Sequence, residues 1–241
     1  GTAIIFISHR LPEVRALGDR VTVMKDGAVT GSLPIADASD DDIVTLMVGR
    51  PMGLDYPPRA TSLGDEVLRV TGLQTAASRD VSFIVRAGEI VGLGGIQGSG
   101  QQETARALFG LGLQAGNLEL HGTQLNVRQP ADAIAAGLVY VPADRRQESL
   151  FTSHGIRENA ALPHVQTWTA GGLIDSHQER DAVTAQMDRL QVKTPNPETL
   201  VNTLSGGNQQ KEVFARWFIG RADVYVLDEP TRGVEAETKA E

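Results

Sequence analysis

Residues 204–211 read Leu-Ser-Gly-Gly-Asn-Gln-Gln-Lys, and one helix's length later residues 224–233 read Val-Tyr-Val-Leu-Asp-Glu-Pro-Thr-Arg-Gly. The second stretch is an apolar run ending in two adjacent carboxylates. That is the pattern of a parallel strand covered on both faces, and ligands of open α/β sheets lie beyond the carboxyl ends of such strands. Asp228 and Glu229 are therefore expected at a strand tip facing a crevice. There, one carboxylate suits a hydrated Mg²⁺ ion, and its neighbour suits orienting or deprotonating an attacking water. In the first stretch, Ser205, Gly206 and Gly207 open a helix expected over 208–219. Glycines at a helix start let backbone N–H groups approach a phosphate, and the helix N-terminus favours negative charge.

Taken in that order and spacing, LSGGNQQK and VLDEPTRGV resemble the signature motif and Walker B of the ATP-binding cassette (ABC) ATPases. Either motif alone is compatible with a bland helix-start turn or strand end; the pair is not. The NQQK and TRGV endings are similar to those of the tandem-cassette ATPases of bacterial monosaccharide importers, of the ribose, galactose and xylose type. The resemblance implies an α/β P-loop NTPase fold with a mostly parallel core sheet, an antiparallel β subdomain and a helical subdomain over about 151–202. It implies ATP and Mg²⁺ as cofactors, with Ser205, Gly206, Gly207 and Gln209 at the nucleotide, Asp228 at the metal and Glu229 as the catalytic carboxylate. The partners it implies are membrane permease subunits and, through them, a sugar-binding protein. Such a subunit sits peripherally on the cytoplasmic face of the membrane.

A glycine-rich loop lies upstream. Residues 89–93 are expected as a strand, Gly94-Gly-Ile-Gln-Gly-Ser-Gly100 as a turn, and 103–109 as a helix. The G-x-x-x-x-G frame falls on Gly95 and Gly100, with Gly98 and Ser99 between them, and forms an anion nest. The frame calls next for Lys and Ser/Thr; this chain has Gln101 and Gln102. At ~4 Å and an effective dielectric of ~20, losing a Lys–phosphate pair forfeits ~4 kcal/mol of Coulomb attraction before desolvation. Gln102 reaches a metal only through an amide oxygen, a poorer ligand than a hydroxyl. The expected outcome is a degenerate site with weak nucleotide binding and poor hydrolysis; a glycine turn with no ligand is the alternative. The resemblance also places an adenine-stacking aromatic just before Asp80-Val-Ser-Phe, and residues 66–80 contain none. Where many cassettes carry Pro-Gln after a strand, this chain has Pro142-Ala143-Asp144-Arg145, with an Asp144–Arg145 ion pair expected.

The remaining chain divides by punctuation. Residues 3–7 form an unbroken apolar run expected as a buried strand, followed by Ser8-His9-Arg10 and a helix from Pro12. Asp26-Gly27 signals a hairpin between strands at 21–24 and 28–31. Ser39 and Asp42 form a capping box for a helix to Val48. Residues 51–65 read as a linker, and strands are expected at 67–70 and 81–85. By resemblance, residues 1–50 match the tail of a first cassette and 66–241 a second cassette cut after Walker B. His9 then matches the switch histidine that contacts a γ-phosphate and attacking water. Phosphate loop, Asp228 and Glu229 belong to one composite site of such a parent, His9 and the signature to the other. His121, His154, His164 and His177 fall in loops or polar stretches without a role. The start at Gly1 and the stop at Glu241 read as those of a fragment.

Bulk properties narrow the classes. A chain of 241 residues with 41% hydrophobic content can bury a real core. No apolar run approaches the ~20 residues of a membrane span, so a soluble intracellular protein is expected. Zero cysteines exclude disulfides and thiolate metal sites, and a net charge of −8 argues against general nucleic-acid binding. Two alternatives stay open. A non-transport ABC protein would be favoured by a basic linker, whose basic residues here are Arg50 and Arg59. A regulatory nucleotide-binding module without hydrolysis is favoured by Gln101 and Gln102. Two packing expectations complete the reading. Val213, Phe214, Trp217 and Phe218 should form a buried helix face, with Gln210, Lys211 and Glu212 less buried. Residues 3–7 should pair in parallel between 89–93 and 224–227.

Overall fold

The computed structural model describes residues 1–8, 10–25, 27–48 and 61–232, which divide into two compact units, one up to residue 48 and the other from residue 61. The expected linker at 51–65 and the histidine at position 9 fall mostly or wholly outside the described residues.

In the smaller unit, helix α1 (Leu11–Leu17) precedes strands β1 (Arg20–Lys25) and β2 (Ala28–Pro34), an antiparallel hairpin, and helix α2 (Asp40–Val48). Gly27 at the turn has φ +79°, which a glycine adopts without steric cost. The Ser39–Asp42 capping box forms reciprocally. Ser39 N donates to Asp42 Oδ2 at 2.9 Å and Asp42 N donates to Ser39 Oγ at 3.0 Å. These bonds from Ser39 hold the Asp42 carboxyl below its ordinary pKa. Ser39→Ala should therefore cost ~1 kcal/mol in the melting of this unit, and no loss would mean that the cap is idle. Val23, Ala38 and Ile43 make a small core.

Residues 3–7 depart from expectation. They form no strand, and Ile5 is 95% exposed. An apolar run becomes a strand only when neighbours take up its N–H and C=O groups, and the ladder of this unit is the β1–β2 hairpin.

The larger unit opens with an antiparallel sheet. Strands β3 (Glu66–Gln74), β4 (Val81–Arg86), β5 (Ala115–Leu120) and β6 (Thr123–Leu125) lie in the order β4-β3-β5-β6. Helix α3 (Gln101–Leu108) follows the glycine loop, and helix α4 (Pro130–Ala136) leads into strand β7 (Leu138–Val141) and the short helix α5 (Arg145–Glu148). A helical region follows: α6 (Ile156–Ala161), a 3₁₀ turn (Leu162–Trp168), a small hairpin of β8 (Thr169–Ala170) and β9 (Leu173–Ile174), and α7 (Ser176–Arg189). A second 3₁₀ turn (Val201–Thr203) then feeds α8 (Gly206–Ile219), and strand β10 (Val224–Leu227) is the last of these elements.

Strand β10 pairs in parallel with β7, Val224 opposite Leu138 through Leu227 opposite Val141. Among the described residues this pair is the whole parallel sheet. Residues 89–93, expected as a strand, have no regular structure, and Ile90 is 98% exposed. The expected pairing of 3–7 between 89–93 and β10 is thus not found. None of the three segments shares a ladder with another among the described residues.

The main core joins the antiparallel sheet, α3, β7 and α8. Trp217 is 6% exposed, as expected, and meets Phe109 and His164 edge-on at ring-centroid distances of 6.3 and 6.2 Å. Gln210 and Glu212 are also buried, against expectation, because α8 packs on α6 and α7 as well as β7 and so is enclosed on more than one face.

Candidate functional site

The glycine loop, the start of α3 and the tip of β10 converge on one cleft of about 1310 Å³. Gly95, Gly98, Gln101, Gln102, Asp228 and Glu229 all line it. Gly100 enters α3 with φ +92°, and a Cβ there would lie 2.9 Å from the Ala77 carbonyl oxygen. Both the left-handed backbone and the close approach require glycine. Behind it, Thr104 Oγ1 donates to the Gly100 carbonyl at 2.8 Å and lies 3.1 Å from Ser78 Oγ, a hydroxyl that can donate to it, fixing the loop to the sheet side. Ser99 Oγ bonds back to the Ile96 carbonyl.

The two glutamines are committed to protein partners. Gln101 Nε2 donates to the Ile96 carbonyl at 3.1 Å, so its side chain folds against its own loop. Gln102 Nε2 donates to Asp228 Oδ2 at 2.8 Å, and Tyr140 Oη donates to the same oxygen at 3.0 Å. Burial, and then the neighbouring Asp228 charge, push the Tyr140 phenol far above its ordinary pKa, so it remains a proton donor.

Glu229 stands next to Asp228 with φ +43°, a left-handed backbone that a side-chain-bearing residue before proline rarely adopts. Such strain concentrates at functional sites. Its carboxylate is exposed and lies 3.5 Å from the Arg232 guanidinium. Arg145 reaches the Arg232 carbonyl at 2.9 Å, while Asp144 caps α5 by accepting from Gln147 N at 3.1 Å.

The signature segment lies apart from this cleft: Ser205, Gly206, Gly207 and Gln209 are not among its lining. Ser205 caps α8, accepting from Asn208 N. Gln209 is 1% exposed and turned inward. Its Nε2 donates to the Val201 and Leu204 carbonyls at 3.1 and 3.2 Å, and its Oε1 accepts from Arg146 Nε at 3.2 Å. Gln209 thus holds the loop before α8 and ties it to α5.

Two residues of this arrangement went unread in the sequence. Tyr140 carried one hint, a hydroxyl in an otherwise aliphatic buried strand, since buried tyrosines seek a partner for that group. Arg146 carried none.

The residues do not fit a Mg²⁺ ion well. Asp228 Oδ2 already accepts two hydrogen bonds, and Gln102 turns N–H donors toward it where a ligand must offer oxygen lone pairs. No group of three or more His, Asp or Glu suited to a metal occurs among the described residues.

The family model described as ABC transporter matches residues 78–232. All of the chain aligns at 46% identity with a ribose import ATP-binding protein, RbsA 3, of Rhizobium meliloti (strain 1021), covering 49% of that protein. It aligns at 42% identity with ribose import ATP-binding protein RbsA of Bacillus subtilis (strain 168), again covering 49%. The chain thus spans about half the length of the curated relatives it matches. Among solved structures, a nucleotide-free ATP-binding cassette from an ABC transporter superposes with a TM-score of 0.61 at 18% identity, over 73% of each chain. The cbiO1 protein of Clostridium perfringens, part of the ABC transporter complex cbiONQ, gives 0.57 at 16% identity, over 72% of this chain and 69% of that one. With the family model covering most of the larger unit and the cassette fold matched, this chain belongs to the ABC transporter family.

Proposed function

We propose that the chain is part of the ATP-binding, energy-coupling subunit of a sugar importer. The observation that carries this is the joint presence of the signature at the start of α8 and of Asp228-Glu229 at the tip of β10, on a chain that aligns along its whole length with half of proteins named ribose import ATP-binding proteins. In this reading residues 1–50 are the tail of a first cassette, 51–65 the linker and 66–241 the second cassette. Ser205, Gly206 and Gly207 offer backbone N–H groups to a nucleotide held mainly by another cassette, with Gln209 positioning them from behind. His9, outside the described residues, serves that same site as the switch histidine.

The Gly95–Gln102 loop with Asp228 and Glu229 makes the second, degenerate half-site. It can hold ATP, and Glu229 is its candidate base. Permease subunits in the membrane, and through them a sugar-binding protein, are the partners; the chain sits peripherally at the cytoplasmic face. Among the described residues no helix is long and apolar enough to cross a membrane, which fits peripheral attachment.

A second reading, a regulatory nucleotide-binding module, is favoured by the commitment of Gln101 and Gln102 to protein partners. ATP turnover separates the two. The isolated chain should turn over far below ~1 per second, and Glu229→Gln should change nothing. Reconstituted with permease subunits and the cassette that holds the other nucleotide, turnover should rise if the chain couples energy and stay flat if it only regulates. Gln101→Lys with Gln102→Thr should tighten ATP binding in a calorimetric titration, and an unchanged affinity would remove the loop from the phosphate-binding reading.

A further inference from the structure

The side chains that meet between α3 and the tip of β10 have an arrangement opposite to that of a magnesium site. A Mg²⁺ ion needs oxygen lone pairs in a near-octahedral shell at ~2.0–2.1 Å. Across this cleft, one partner is an acceptor and the other a donor: Gln102 Nε2 stands 2.8 Å from Asp228 Oδ2. Reversing the carboxamide would set its oxygen against a carboxylate oxygen at that distance, two acceptors face to face, so the charge on Asp228 fixes which way the amide points. Tyr140 Oη, 3.0 Å from the same oxygen, supplies a second neutral donor from β7. Asp228 Oδ2 therefore accepts hydrogen bonds from two elements, and Gln102 holds the place between that oxygen and the glycine loop.

A primary amide carries two N–H groups. One of them holds Asp228, and the other can donate to a phosphate oxygen. Gln102 can thus make the link between carboxylate and phosphate that a divalent ion makes in magnesium-dependent nucleotide sites. Gln101, folded onto the Ile96 carbonyl, leaves the neighbouring position uncharged as well.

Resting on the nucleotide-binding reading above, we propose that the half-site formed by the Gly95–Gln102 loop and Asp228 is a cation-free site. The Gln102 carboxamide takes the bridging role of Mg²⁺, and the site accepts the metal-free form of a nucleoside di- or triphosphate. The metal-bound form is disfavoured because an ion set between Asp228 Oδ2 and the phosphates would have to displace the Gln102 donor. Added magnesium therefore weakens binding here, by drawing free nucleotide into its metal complex.

ATP titrated calorimetrically into the full chain tests this, once in EDTA and once in excess Mg²⁺. Binding should be severalfold tighter in EDTA. Gln102→Ser, at an exposed position that tolerates replacement, should reverse that order by offering a hydroxyl oxygen. Tighter binding of the unmodified chain in Mg²⁺, or an order unchanged by Gln102→Ser, overturns the proposal. ATP binding in neither condition would defeat the nucleotide reading itself and the ligand proposed here. The cation claim then rests on Mn²⁺ titrated without nucleotide and followed by water-proton relaxation. The unmodified chain should leave the free-ion value unchanged, whereas an enhancement abolished by Asp228→Asn would show a metal site and overturn it.

Discussion

Trp217→Ala is expected to lower the unfolding free energy of the larger unit by about 3–5 kcal/mol. The indole is almost wholly buried and sits between Phe109, just after α3, and His164 in the 3₁₀ turn. Phe109 in turn meets Tyr140 of β7 at 5.7 Å between ring centroids. Trp217 therefore ties α8, and with it the signature segment, to the helix behind the glycine loop and the strand beside β10. Truncation removes the transfer free energy of a large aromatic and opens a space that rigid neighbours cannot close. His164 has little freedom to follow, because its imidazole approaches the backbone of Gly220 so closely that a Cβ there would lie 2.4 Å from Cε1. Its ring is also held by a 2.7 Å hydrogen bond to the Arg216 carbonyl. Urea unfolding followed by the fluorescence of Trp168, which the substitution leaves in place, measures the loss. A change below ~1 kcal/mol would mean that the site collapses freely, against the packing described.

The second large effect concerns Glu212, on the same helix and 0% exposed. Burial raises its carboxyl pKa from an ordinary 4.5 to about 7, only partly offset by the Arg216 guanidinium 3.7 Å away. Arg216 is itself shifted down by burial, so desolvation outweighs attraction on both partners. With a folded value above the unfolded one, the group stabilises fully below about pH 4.5 and loses that contribution as pH rises to about 7. The interval corresponds to ~3 kcal/mol. Glu212→Gln keeps the shape and removes the titration. Arg216 retains the Ser149 carbonyl at 2.6 Å, so the helix stays anchored. The stability advantage of the unmodified chain over the variant should therefore shrink steadily across that window and be flat above it. Unfolding free energies measured at a series of pH values for both chains decide the matter; parallel curves would mean that Glu212 titrates in the fold as it does in the unfolded chain.

Glu212 also shows where sequence reading stopped. Hydrophobic spacing at helical period placed Val213 and Trp217 inward correctly, and placed Gln210 and Glu212 outward because they are polar. Periodicity describes one helix face, whereas α8 is enclosed by α6, α7 and β7, which leaves little outward face for those positions. His164, read without a functional role, packs against two tryptophans, a position that only the tertiary structure shows.

Several features were legible from local chemistry. The β1–β2 hairpin follows from Asp-Gly, the α2 start from Ser39 and Asp42, the α8 start from Ser205 and its glycines, and the β10 strand from an unbroken apolar run. The family resemblance followed from two motifs and was sound. The strands expected at 3–7 and 89–93 are not formed. A strand is a relation between segments, and β10 has β7 beside it where these have no ladder among the described residues.

The candidate site divides in the same manner. Sequence alone determined that a glycine loop, two glutamines and two carboxylates would be present, and that the loop lacked its charge, because residue type and spacing are properties of the chain. Only the tertiary structure decided that Gln102 and Asp228, 126 positions apart, meet as donor and acceptor. It alone brought Tyr140 to the same oxygen, turned Gln209 inward and bent Glu229 into a left-handed backbone. These outcomes depend on which elements pack side by side, and a side chain's hydrogen-bond partner is set by that packing rather than by its neighbours in sequence.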